Sequence, residues 1–176
     1  MLAYLFVFLA VAVRFLPHPL GFTPVAASLL FFGARGSRRQ WWLPLVLLAA
    51  SDVVLTRIVY QYPFTWDHYV TWAWYAAMLW LGSGLRENAK LFRIVAASLA
   101  GSVSFFLLSN FAVWASGTMY PKTFSGLAAC YTLGLPFFRR GAEGDLVFTL
   151  AMFATPILIE ALGRAFRGQP GGAAAA

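Results

Sequence analysis

Asp52 stands in the run Ala49-Ala50-Ser51-Asp52-Val53-Val54, and its nearest charged neighbour in the chain is Arg57. A carboxylate in such apolar company is costly unless a cation, a set of hydrogen-bond donors or water attends it. Three chemistries suit it. It can hold a ligand amine or donor, carry a coupling proton, or pair with Arg14 or Arg57 near a helix end. In the first case Asp52→Asn removes ligand affinity and leaves folding intact. Arg14, near the end of the first apolar run, either snorkels to an interface or faces Asp52 or an anionic ligand group. His18 lies between Pro17 and Pro19, which stiffen its backbone and present the imidazole to a ligand, a metal or solvent.

A denser set follows. Tyr60, Tyr62, Trp66, Asp67 and His68 crowd one stretch, and Tyr120, Lys122, Cys130 and Tyr131 another. Aromatic walls with a few polar groups suit a small-molecule site, and the same residues also suit an interfacial aromatic belt. Cys130 is the one cysteine, so neither an internal disulfide nor a multi-cysteine metal site is available. It serves as a small packing residue or as a thiol contact. Ser98, Ser102 and Ser109 share roughly one helical face, with Asn110 beside them. Serines in membrane helices usually bond backbone or a neighbouring helix; Asn110 suits binding and packing equally. Glu160 and Arg164 form an i,i+4 pair of structural character. The chain contains no H-E-x-x-H, no G-x-S-x-G and no phosphate-cradling loop, so neither enzymatic chemistry nor a cofactor is expected.

These residues need elements to hold them, and composition says which. Hydrophobic residues make up 61% of the chain and charged residues 11%, against about 25% charged in a typical soluble domain. So few charges cannot coat a soluble core, and the apolar residues fall in runs. The expected class is all-α, a polytopic membrane protein with one transmembrane domain over 1–167 and a low-complexity, disordered tail over 168–176. The net charge of +7 comes from short basic clusters between apolar runs, as cytoplasmic retention requires. No recognition-helix pattern accompanies it, so nucleic acid is not an expected partner.

The apolar runs are Leu2–Leu16, the short Phe22–Ala34, Trp41 to about Arg57, Tyr69–Leu85, Leu91–Ser116 and Leu146–Phe166. Between the last two, Pro121, Gly126, Gly134 and Pro136 interrupt 117–138 and predict a partly helical cap or re-entrant piece, followed by a charged loop over 139–145. Six spans result, or seven if 123–138 crosses the bilayer. With the N-terminus cytoplasmic, Arg35, Arg38, Arg39, Arg86, Lys90 and Arg93 lie inside. Multi-pass insertion in a cell inner (plasma) membrane is expected.

Several strings carry a resemblance. Arg14-Phe-Leu-Pro-His-Pro, Ser51-Asp52-Val-Val-Leu, Ser109-Asn110-Phe-Ala-Val-Trp, Tyr120-Pro-Lys-Thr-Phe-Ser-Gly and Cys130-Tyr131-Thr-Leu-Gly-Leu-Pro resemble an uncharacterised family of small bacterial membrane proteins described as transport proteins. More remotely, the layout is similar to the S components of energy-coupling factor (ECF) vitamin transporters, in its Phe-x-Pro loop before a short second helix and its Gly-Asp-Leu before the last. That resemblance implies a six-helix bundle with cytoplasmic termini, which captures a vitamin-like or other micronutrient substrate at an outward-facing site for uptake. It also implies an ECF-type coupling subunit and ATPases as partners. Arg14, His18, Asp52, Trp66, His68, Asn110, Tyr120, Lys122, Cys130 and Tyr131 are the candidate binding residues. A second expectation, from a different class, is an accessory or structural subunit of a larger membrane complex.

Overall fold

The structure, a computed structural model, describes residues 1–17 and 21–167. His18 and the tail 168–176 lie outside the described residues. The fold is all-helical, with α1 (Leu2–Val13), α2 (Val25–Arg35), α3 (Trp42–Val54), α4 (Asp67–Ser83), α5 (Leu91–Ser116) and α6 (Phe124–Arg167). A 3-10 turn over Arg38–Gln40 leads into α3, and a π-helical segment over Leu55–Val59 extends it. Three stretches are long and apolar enough to cross a membrane: Arg38–Val59, Leu91–Ser116 and Phe124–Phe166.

The short second run is an enclosed helix. At 11 residues, α2 is about 16 Å long, well under the roughly 30 Å of a hydrocarbon core. Every residue from Val25 to Ala34 is buried. A helix apolar on all sides needs neighbours on all sides, and α1, α4, α5 and α6 supply them. Its closest partner is α4. A Cβ on Gly33 would strike the Leu79 carbonyl, and one on Gly82 would strike that of Leu30. Glycine at both positions lets the two backbones touch, with Arg86 then holding the Gly33 carbonyl at 2.9 Å.

Side-chain pairings show successive helices alternating in direction. Tyr4 meets Phe32 and Phe6 meets Phe31 across α1 and α2. Trp74 Nε1 donates to Ser104 Oγ across α4 and α5, and Tyr131 OH donates to the Leu107 carbonyl across α5 and α6. One end of the bundle therefore gathers the C-terminus of α1, the N-terminus of α2 and the turns 60–66 and 117–123. The other gathers Arg35, Arg38, Arg39, Arg86, Lys90, Arg93 and Arg164. Large exposed apolar side chains, among them Phe8, Val46, Leu107 and Val147, cover the flanks as a lipid-facing surface does.

One expectation is corrected. The stretch 124–138 is no cap, and 139–145 is no loop: both belong to α6, a single helix of 44 residues with Pro136 and Pro156 inside it. Only 117–123 is non-helical there. Proline frees the carbonyl four residues before it: for Pro156 that is the buried Met152, and for Pro136 the exposed Thr132, while α5 packs antiparallel against α6. At 1.5 Å per residue α6 is about 66 Å long, roughly twice the hydrocarbon thickness.

Candidate functional site

At the end away from the cluster of Arg35, Arg38, Arg39, Arg86 and Arg93, the helices part around a cavity of about 580 Å³. Its lining comes from Arg14, the 21–26 stretch, Asp52, Thr56 and Tyr60, the first turns of α4, and facing stretches of α5 and α6. Three polar groupings set its chemistry.

The first is a closed lock. The Arg14 guanidinium pairs with the Asp52 carboxylate and the Ser51 hydroxyl, and reaches the Leu48 carbonyl at 3.4 Å. Asp52 also accepts from Trp72 Nε1 at 2.9 Å and from the Tyr75 hydroxyl at 3.3 Å. With Asp52 only 7% exposed, one carboxylate joins α1, α3 and α4. Of the chemistries open to Asp52 in the sequence, the structure displays the pairing with Arg14.

The second lies at the cavity mouth. His68 Nε2 is 3.0 Å from Thr56 Oγ1, and its Nδ1 is 3.1 Å from the Thr65 carbonyl. A carbonyl only accepts, so Nδ1 donates to Thr65, and Nε2 shares its hydrogen bond with the Thr56 hydroxyl. Phe64 stacks on the ring at 4.2 Å between centroids. Asp67 stands beside it, in the first turn of α4.

The third forms the floor. The Ser102 hydroxyl donates to Asp145 Oδ2 at 2.7 Å, with the Ser98 carbonyl at 3.1 Å as its alternative acceptor. Below it, Thr149 Oγ1 donates to Ser98 Oγ at 3.3 Å, and both residues are fully buried. Among the described residues, no basic side chain pairs with Asp145. Between mouth and floor the walls are aromatic: Trp74 against Phe105 at 4.7 Å, and Phe106 against Phe138 at 4.8 Å.

Arg14, Asp52, His68 and Asn110 thus share one cavity, as the sequence suggested. Trp66, Tyr120, Lys122, Cys130 and Tyr131 do not line it. Trp66 is an exposed side chain before α4. Lys122 holds the carbonyls of Trp114 and Gly117 at the end of α5, where a cation also meets the negative end of the helix. Cys130 is buried with its thiol toward the Asn110 carbonyl at 3.4 Å. Lys122, Cys130 and Tyr131 thus fasten α6 and the turn before it to α5 rather than face the cavity.

Sequence reading passed over Asp145 and the aromatic walls, and gave Ser102 a packing role. The signal was present. Gly134, Phe138, Gly141 and Asp145 recur at helical spacing and all line the cavity, a face visible only once 124–167 is read as one helix. Among the described residues, no group of histidine, cysteine and carboxylate side chains is placed to hold a metal.

The chain belongs to the DUF6580 family, a family of unknown function, whose model matches residues 1–166. No curated protein and no solved structure matches it.

Proposed function

We propose that this member of a family of unknown function captures a small molecule in the cavity, at the outer face of a bacterial inner membrane, for uptake. The cavity carries the reading. Its volume of about 580 Å³ falls within the roughly 300–1,000 Å³ of small-molecule sites, and its mixed lining of aromatic side chains and fixed polar groups suits that use.

Orientation follows from charge. Retention of basic residues in the cytoplasm puts the arginine-rich end and the N-terminus inside, and so turns the cavity outward. The resemblance in layout to ECF S components favours a vitamin-like or other micronutrient substrate. It also favours a coupling subunit and ATPases as the source of energy. Native mass spectrometry of protein purified gently from its host tests this. A co-purified small molecule, lost when Thr71→Trp fills the cavity, is the expected result; a ligand-free spectrum contradicts it.

One observation favours a second reading, an accessory subunit of a larger membrane complex. The last turns of α6 present Ile157, Leu158, Ile159, Leu162 and Phe166, each more than half exposed. Mild-detergent pull-down with a stoichiometric membrane partner, and no ligand in the cavity, would support it.

A further inference from the structure

We infer that the ligand is a small organic cation, an ammonium or a positively charged aromatic heterocycle, whose charge is held against Asp145 at the cavity floor. This rests on the reading of the cavity as a ligand site and names the chemical class it takes.

The charge of the lining points that way. In a chain of net charge +7, the described lining holds one guanidinium, Arg14, against three carboxylates, Asp52, Asp67 and Asp145. Two of the three have local compensation. Asp52 pairs with the Arg14 charge and adds two neutral donors. Asp67 sits in the first turn of α4, where the helix dipole favours negative charge. Asp145 has one neutral donor, Ser102. Ser102 lies near the middle of α5, so the carboxylate stands near mid-membrane depth, where an unpaired charge is costly. A cationic ligand supplies the missing partner.

The walls agree. Trp74, Phe105, Phe106 and Phe138 line the same cavity as Asp145, and aromatic rings attract ammonium and guanidinium groups. An anionic ligand would meet Asp145 with no uncommitted guanidinium to offset it, because Arg14 is already bound to Asp52, Ser51 and Leu48.

The test uses three probes of one size and three charges: 2-phenylethylammonium, 2-phenylethanol and phenylacetate. Each is titrated into the full chain in lipid nanodiscs, read by tryptophan fluorescence and by calorimetry. The cation is expected to bind about tenfold or more tighter than the other two, the scale of one charge-assisted contact. Asp145→Asn should bring the three within about threefold of one another, and Asp145→Glu should restore the preference. The wild-type comparison stands without any variant, so a misfolded mutant does not shield the claim. Equal or tighter binding of the alcohol or the acid would overturn the cation assignment while leaving the cavity as a ligand site. A preference unchanged in folded Asp145→Asn would overturn the role of Asp145. Binding by none of the three would overturn the inference together with the reading it rests on.

Discussion

Arg14 and Asp52, 38 residues apart in sequence, meet as an ion pair between the ends of α1 and α3 that border the cavity. Their side chains are 16% and 8% exposed, and Trp72 and Tyr75 complete the carboxylate's shell from α4. Removing one partner strands the other without its counter-charge, which costs about 3–5 kcal/mol for a buried pair. Asp52→Asn and Arg14→Met should therefore each lower the melting temperature in detergent. The double variant Arg14→Met/Asp52→Asn should lose less than the sum of the two, because no orphan charge remains. Additive losses would mean that the pair is not coupled.

Gly33 and Gly82 set the distance between α2 and α4. A methyl group at either position collides with the facing backbone carbonyl, which cannot swing aside as a side chain can. Gly33→Ala and Gly82→Ala should each destabilise by about 1–3 kcal/mol, the usual cost of overpacking. Thermal melts check this, and wild-type stability in both variants would refute the close approach.

Gly134 works at the cavity wall instead. A Cβ there would stand 2.5 Å from Asn110 Oδ1, and the amide is a side-chain group held by its bond to the Phe106 carbonyl at 2.8 Å and a long contact from Cys130 Sγ at 3.9 Å. Gly134→Ala should leave the fold intact, displace Asn110, and alter ligand retention in native mass spectrometry. A variant that unfolds instead would assign Gly134 to helix packing.

Cys130 is 2% exposed. A maleimide should leave the folded protein unmodified and label it after denaturation. Rapid labelling of the native form would contradict the packing of α6 on α5.

Much of the fold is legible in the sequence because lipid imposes long apolar runs. α5 is an unbroken run, the shortness of α2 is plain, and Asp52 and Arg14 stand out as isolated charges. What escaped lies in α6. Gly134, Pro136 and the cluster Arg139, Arg140 and Glu143 look like a break and a loop when judged locally. In the bundle, Gly134 packs against Asn110 of α5, the i,i+4 contact Arg139–Glu143 at 3.0 Å lies on the exposed side, and Asp145 turns inward to Ser102. Local propensity marks where a helix is weak, but the neighbour that makes the weakness tolerable is remote in sequence. Lys122 and Tyr131, which bond to α5 backbone carbonyls and do not line the cavity, are ambiguous for a related reason. Aromatic and basic residues near a turn look alike whether they face a cavity or fasten a helix end.

The most direct test of an outward-facing cavity is thiol labelling of Ser109→Cys in intact cells with a membrane-impermeant maleimide. Ser109 lines the cavity, and native Cys130 is buried, so the wild type serves as the blank. Labelling of Ser109→Cys from outside, slowed by a ligand that occupies the cavity, is the expected result. Labelling only after the cells are permeabilised would place the cavity on the cytoplasmic side and contradict capture from outside.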